Sequence, residues 1–555
     1  MHPPLSPFPI LPSSHGGKSD WKENMAKDDK KPDLGGELSA VVEGHTTADP
    51  PAADCLLQTP SDPCTLIIIG ASGDLTSRKL IPALYNLFRK GGLPDRFQVV
   101  GCGRTVMTDG EFRKKMKESV PDNGESDSDR SQWDTFKTRL HYRAIEYDSL
   151  ESYRELAACL RELDKANGTG GNRIFYLALP MFLYGTTAQL LGKSGLAVQH
   201  EDGNGWTRIV VEKPYGSDRA SAARLDEAVH QSFSERQIFR IDHYLAKETV
   251  QNILIFRFAN AIFEPVWNRN YIEHVDIIAS ETLGVEKRAG YYESAGVLRD
   301  MFQNHMLQLL ALTAMEPPTS FEADAVDDEK VKVFQSLRPF PTGNLFENLV
   351  LGQYRASTVD GKHVKGYRAE EGVDRKSLTP TYAMMQVLID NWRWQGVPFF
   401  LTSGKRLGAK LTEIVIKFKE VPVSMFQGVL DERITANVLT MGIQPREHIT
   451  LSLETKSPGA VTCLRTVKMD FDFEEGYRGP KLQAYEKALL DCMYGDQMLF
   501  WRQDGIDLAW AFIEPVLTEC ESCKDPKRLL HTYKAGSWGP KASAQLKELM
   551  VKQCR

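Results

Sequence analysis

Residues 65–69 form an unbroken apolar run, Thr65, Leu66, Ile67, Ile68 and Ile69, that stops at Gly70. A short β-branched run that is apolar on both faces predicts a strand buried in a parallel sheet. Residues 97–101, 173–180 and 208–214 repeat the pattern, and the apolar stretch 237–241 closes the series. Helical patterns lie between them. One covers about residues 77–90, with Pro82 in its early turns and a kink expected there. Another runs from Ser217, the expected N-cap, to about residue 232. Strand and helix alternating from 65 to about 242 predict a doubly wound, mostly parallel sheet.

Beyond residue 247 the pattern changes. Residues 253–258, 274–281, 349–355, 383–392, 413–418, 449–454 and 464–473 read as strands, and few helices separate them. A large, mostly antiparallel sheet is expected. One long helix is predicted over about 296–315, buried through Leu298, Met301, Phe302, Met306, Leu309, Leu310 and Leu312. Trp392, Trp394, Phe399 and Phe400 are read as core or subunit interface. At 555 residues the chain is too long for one core. The reading is therefore α/β plus α+β: a doubly wound domain over 63–245 and an α+β domain over 246–555. Residues 1–62 are expected to be a disordered tail. The first 60 hold nine prolines and only Phe8 and Trp21 as aromatics, too little apolar surface to offset ordering. Residues 122–131 read as a polar, acidic loop.

Charge and composition narrow the function. A net charge of −6 leaves no electrostatic footprint for nucleic acid. An anionic substrate must then be drawn in by a local basic cluster. No run of 18 apolar residues predicts a membrane span. No cationic start leads into an apolar core, so no secretory signal is expected. The acids Asp20, Glu23, Asp28 and Asp29 argue against a transit peptide. Nine scattered cysteines, an odd number, suit reduced thiols in a cytoplasmic protein. Cys520 and Cys523 make a lone C-x-x-C without a second pair. No two of the 12 histidines are spaced H-x-x-x-H, so no metal site is expected.

Three places carry chemistry. Gly70, Ser72, Gly73, Asp74 and Leu75 stand between a strand and a helix. Glycines there let the backbone approach a pyrophosphate at a helix N-terminus, although only G-x-x-G of the longer fingerprint is present. This makes the first domain a candidate dinucleotide-binding, Rossmann-like one. Arg104 ends the second strand, where an arginine suits the 2′-phosphate of NADP and an acid would suit NAD. Lys213 ends the strand of residues 208–214, at the sheet edge where ligands bind in open α/β sheets. The third place is Arg240, Ile241, Asp242, His243, Tyr244, Leu245, Ala246, Lys247 and Glu248. If these residues are helical, His243 and Lys247 share a face with Tyr244 beside them, a seat for a phosphate. Asp300 and His305, five apart on the predicted long helix, stand about 140° apart around it and need not face one point.

The stretch from Arg240 to Glu248 resembles the signature of glucose-6-phosphate dehydrogenases, with Ala246 where the family usually has glycine. The resemblance runs from about residue 64 to about 520. It includes the glycine turn at 70–75, Glu212, Lys213 and Pro214, Arg257 and Asn260, Trp267 and Arg269, Gly290 and Tyr292, Asp300 and Met301, Gln303 and His305, Lys405 and Leu407, and Gly495 and Gln497. It implies oxidation of D-glucose 6-phosphate at C1 to 6-phosphogluconolactone, with NADP as cofactor, in the pentose phosphate pathway. It implies His305 as the base and Asp242 as its partner, a pairing that suits an imidazole titrating near neutrality. By the same resemblance His243, Tyr244, Lys247 and Lys410 hold the 6-phosphate, and Lys213, Glu281, Asp300 and Lys405 bind the sugar hydroxyls. Arg78 joins Arg104 as a candidate for the 2′-phosphate. Tyr184 could pack on the nicotinamide or belong to the core. A homodimer or homotetramer through the C-terminal sheet is expected. Two rivals stay open: another NAD(P)-linked sugar oxidoreductase of the glucose–fructose oxidoreductase type, with a similar Glu-Lys-Pro strand end, and a non-enzymatic nucleotide sensor on the same fold.

Overall fold

A computed structural model of the chain describes residues 62–120, 127–199, 205–425, 434–459, 463–473, 481–522 and 530–554. The expected tail, apart from Asp62, lies outside these residues. So do residues 122–126 of the expected acidic loop and Cys523. The strands are β1 Cys64–Ile69, β2 Phe97–Gly103, β3 Leu140–Ala144, β4 Arg173–Leu177, β5 Thr207–Val211, β6 Ile238–Ile241, β7 Ile272–Ser280, β8 Leu349–Arg355, β9 Ser357–Val359, β10 Lys362–Val364, β11 Tyr382–Val387, β12 Phe399–Gly404, β13 Leu411–Phe418, β14 Val438–Gln444, β15 His448–Lys456, β16 Leu464–Asp472, β17 Phe500–Trp501 and β18 Leu530–Lys534.

Sheet one has the order β17-β6-β5-β4-β1-β2-β3. Its six N-terminal strands are parallel, as the doubly apolar runs predict. Alternate residues feed the two faces. Leu66 and Ile68 enter one core cluster, while Ile67 and Ile69 enter the other. The seventh strand comes from the far end of the chain: β17 pairs antiparallel with β6, Phe500 opposite Ile241 and Trp501 opposite Arg240. The N-terminal sheet is thus completed by residues well beyond 245. Sheet two has nine strands in the order β16-β15-β14-β13-β7-β12-β11-β8-β18. Only β12 with β7 and β18 with β8 run parallel. One apolar cluster extends from Phe175 of sheet one through Leu309 and Leu310 to Ile277 and Leu401 of sheet two.

Several elements differ from the sequence reading. Residues 253–258 are not a strand but the end of helix Glu248–Phe258, whose buried positions Val250, Ile253, Leu254 and Arg257 have helical spacing. A run apolar nearly all round hides that period. Residues 127–131 open a helix, Asp127–Phe136. Trp133 and Phe136 pack on Tyr85, and this contact outweighs the local polarity. Asp218, not Ser217, caps helix Arg219–His230, its carboxylate accepting the Ser221 N–H at 2.6 Å. Strands β3, β9, β10, β12, β14, β17 and β18 have no counterpart in the sequence reading, and β11 stops at Val387 well short of Trp392, which is 93% exposed. Pro82, with no N–H to give, follows a π-helical turn, Thr76–Leu80, so the disturbance expected there is a widened turn.

The long helix is the largest departure. It is three pieces: Ala289–Val297, a π-helical Leu298–Met306, and Leu307–Ala314. Gly296 separates the first two with φ 58° and ψ −178°, a conformation open in practice only to glycine. Every residue of Leu307–Ala314 is buried, as a helix that is apolar all round requires.

Candidate active site

β6 delivers Asp242 to the carboxyl edge of sheet one. Residues 243–247 then form turns rather than a helix, and the helix begins at Glu248 with Lys247 as its N-cap residue. His243 and Lys247 are therefore not on one helical face. The turns fold them together differently. The Lys247 ammonium lies 4.0 Å from the centre of the Tyr244 ring. Tyr244 in turn stacks on His305 with ring centres 4.2 Å apart, and the His243 ring centre lies 4.7 Å from that of His305. Lys247 donates to Gln444 Oε1 at 2.7 Å, and Gln444 donates to Thr412.

His305 is fully buried and bonded at both ring nitrogens. Nδ1 meets Asp242 Oδ1 at 2.5 Å. Nε2 meets the Lys213 ammonium at 2.7 Å. An ammonium can only donate, so Nε2 carries the lone pair and Nδ1 carries the proton given to Asp242. Burial lowers the His305 pKa, the Asp242 carboxylate opposes this, and Lys213 adds to the lowering. The resting imidazole is neutral. Burial pushes the Asp242 carboxyl up, but His305 and the Tyr244 N–H, which donates to Oδ1 at 2.9 Å, outweigh it and hold it well below the usual range. Burial, with His305 and Lys213 nearby, holds His243 well below its ordinary value too.

The π-helical stretch explains how Asp300 and His305 meet one partner. In a π turn each N–H reaches back five residues, so residues five apart come back toward one face instead of standing about 140° apart. Lys213 accordingly touches His305 Nε2 and also Asp300, at the backbone oxygen at 3.1 Å and at Oδ1 at 3.5 Å. Asp300 is buried, which raises its pKa, but Lys213 and Lys405 overcome that and lower it. Lys405 pairs with Glu281 and lies 3.9 Å from Asp300 Oδ2. Lys410 is exposed, and its charge acts on Lys247. The structure thus gathers Lys213, Asp242, His243, Tyr244, Lys247, Glu281, Asp300, His305 and Lys405 in one connected set.

The glycine turn lies at the same edge of sheet one. A Cβ on Gly70, at φ +102°, would stand 2.2 Å from the Ala178 carbonyl oxygen, so only glycine lets the strand turn there. Ser72 is half-buried, and Gly73 and Asp74 are exposed at the helix start, with Leu75 partly covered. Such a bare backbone turn fits a dinucleotide pyrophosphate. Arg78 is exposed and pairs with Asp74 at 2.7 Å. Arg104 is exposed, over the Tyr147 ring at 5.6 Å. Tyr184 is 2% exposed and belongs to the core cluster, which places it with the packing alternative.

Sequence reasoning missed four contributors. Trp501 Nε1 donates to Asp242 Oδ2 at 3.4 Å across 259 residues of chain. Tyr291 donates to Asp300 at 3.3 Å. Gln444 holds Lys247, and Tyr485 joins Tyr176 in donating to half-buried Glu212, beside Lys213. Tyr291 lies within the 290–292 stretch that carries the resemblance; the other three have no local signal and are brought in by strand pairing or helix packing.

Among the described residues no helix is long and apolar enough to cross a membrane. Family models described as "Glucose-6-phosphate dehydrogenase, NAD binding domain" and "Glucose-6-phosphate dehydrogenase, C-terminal domain" match residues 67–252 and 254–553. The chain is 45% identical over 483 residues to a glucose-6-phosphate 1-dehydrogenase of Aggregatibacter actinomycetemcomitans, covering 87% of this chain and 95% of the relative. It is 40% identical over 481 residues to the Bacillus subtilis (strain 168) enzyme of that name, covering 87% and 96%. A solved structure described as glucose-6-phosphate dehydrogenase in complex with its substrate glucose-6-phosphate superposes with a TM-score of 0.81 at 34% identity, covering 89% of this chain and 99% of that one. Two matched domains that together span the described sheets, and relatives aligned over nearly their whole length, show that the chain belongs to the glucose-6-phosphate dehydrogenase family.

Proposed function

We propose that this chain oxidises D-glucose 6-phosphate at C1 to 6-phospho-D-glucono-1,5-lactone, with His305 as the general base. The observation that supports this most is the polarity of the His305 ring. Its proton is committed to Asp242, and its lone pair points at a site now filled by the Lys213 ammonium. A sugar hydroxyl entering that site takes the place of Lys213 at Nε2 and gives its proton to the ring. Asp242 then stabilises the imidazolium that forms. Lys213, released from the ring but still beside Asp300, is placed to hold the hydroxyl in line.

Glu281, Asp300 and Lys405 bind the remaining sugar hydroxyls. His243, Tyr244, Lys247 and Lys410 receive the 6-phosphate. Gly70, Ser72, Gly73, Asp74 and Leu75 form the pyrophosphate turn, and Arg104 and Arg78 read the 2′-phosphate of NADP. NADP, when bound, supplies the acceptor for the hydride that leaves C1. Tyr184, buried in the core cluster, serves packing. Free thiols at Cys64, Cys102, Cys159, Cys463, Cys492 and Cys520 support a cytoplasmic setting. Met469 and Phe471, 62% and 49% exposed on β16, support assembly into a homodimer or homotetramer through sheet two.

His305→Asn tests the reading. It keeps shape and some hydrogen bonding but lacks the base, so kcat with glucose 6-phosphate and NADP is expected to fall by about 10²–10⁴ with little change in KM. A kcat within threefold of wild type would remove His305 from the role.

A further inference from the structure

We infer that Trp501 is a positioning residue for the Asp242–His305 pair, a role that rests on the proton transfer proposed above. Asp242 uses its two oxygens differently. Oδ1 accepts from His305 and from the Tyr244 N–H. Oδ2 has the Trp501 indole N–H as its protein donor among the described residues. A carboxylate bonded on one oxygen alone can swing about its Cβ–Cγ bond, and any swing turns Oδ1 away from the imidazole. A donor fixed on the second oxygen removes that freedom.

Trp501 is well held for this task. Its ring is 6% exposed and stacks on Phe334, with centres 5.9 Å apart and planes 12° apart. Its backbone is locked into sheet one opposite Arg240, and its carbonyl accepts from the Arg240 guanidinium at 3.3 Å. Arg240 is itself anchored by Asp226 and Glu235. The wall between Trp501 and Asp242 borders a cavity of about 20 Å³ that also touches Lys213 and Asn304, room for about one water. The indole N–H is the ordered donor at that wall.

The inference carries a sign. A donor on Oδ2 draws negative charge away from Oδ1. Without it, Asp242 becomes a stronger acceptor for the Nδ1 proton and favours the imidazolium. The kinetic pKa of the base should therefore rise while its geometry loosens.

Two substitutions separate positioning from packing. Trp501→Phe keeps an aromatic ring and loses the donor. Trp501→His loses the benzo ring, but its Nε2 lies on the same ring path from Cβ as the indole nitrogen and restores the donor. Trp501→Phe is expected to lower kcat about three- to tenfold, to leave KM for glucose 6-phosphate unchanged, and to raise the acid-limb pKa of kcat/KM by about half a unit. Trp501→His, assayed above pH 7.5 where it is neutral, is expected to recover kcat relative to Trp501→Phe even where its melting temperature is lower. If kcat follows melting temperature across the two variants, or Trp501→Phe moves neither kcat by more than twofold nor the pKa, Trp501 is packing only. If His305→Asn keeps its kcat, the base assignment fails first; a dead His305→Asn beside an unaffected Trp501→Phe overturns the present inference alone.

Discussion

Lys247 shows how a single half-buried charge sets a pH window. Burial lowers its pKa to about 8, and the charge of Lys410 adds to the lowering against the pull of Asp242. The substrate phosphate is a dianion above its second pKa of about 6, so of these two groups only Lys247 changes charge above that pH. The ammonium is present below about pH 8 and is lost as pH rises through it. In free enzyme, kcat/KM for glucose 6-phosphate is expected to rise at low pH as His305 loses its proton and to fall above about pH 8 as Lys247 does, a bell. Lys247→Gln should lower kcat/KM and erase the alkaline limb. Profiles of wild type and Lys247→Gln that superimpose after scaling, from pH 7 to 9.5, would show that another group sets that limb. At this scale much was legible. Asp242, His243, Tyr244 and Lys247 fall within six residues, and their types alone suggest a charged seat. Illegible was the partner of His305 on its free nitrogen, since Lys213 lies 92 residues away and nothing local couples the two.

At the scale of elements, period decided what could be read. Parallel strands were plain because they are apolar on both faces. Residues 253–258, the end of helix Glu248–Phe258, read as a strand because Arg257 is the one polar residue among them. The π-helical Leu298–Met306 has no sequence signature, yet it determines whether Asp300 and His305 converge on Lys213. Gly296 is its boundary. A Cβ there would have Thr379 Cγ2 at 3.5 Å as its nearest neighbour, so space is sufficient and only the backbone angles object. Gly296→Ala is expected to cost about 1–3 kcal/mol through strain alone, read as a lower urea midpoint at unchanged slope. It should also lower kcat, because the strain is relieved by moving the residues that carry Asp300. A variant of wild-type stability would show that the junction adopts another conformation without penalty.

The whole molecule departs from a chain cut at residue 245. Sequence order places a dinucleotide-binding unit first and a substrate unit second, and the strand pattern supports that division. The structure interleaves them. β17 covers the edge of β6, and helix Ala484–Tyr494 packs Leu489, Leu490, Cys492 and Met493 into the same cluster as Leu66, Leu84 and Phe239. The Arg208 guanidinium on β5 donates to the carbonyls of Cys492 and Met493, each at 2.7 Å. Removing the C-terminal half strips this face of its cover, leaves the ladder edge of β6 open to pairing with other chains, and takes from Arg208 charged hydrogen bonds worth about 1.5–3 kcal/mol each. A fragment of residues 62–252 is therefore expected to aggregate or to lack cooperative unfolding, although it holds every residue assigned to NADP. Adding residues 481–522 in trans should restore solubility in part, because they carry both the strand and the helix that are missing. The check is size-exclusion chromatography and urea unfolding of the fragment with and without that segment. A soluble, monomeric 62–252 that unfolds cooperatively alone and binds NADP would show that the return of the C-terminus serves the position of Trp501 and Asp242 rather than the stability of the first sheet.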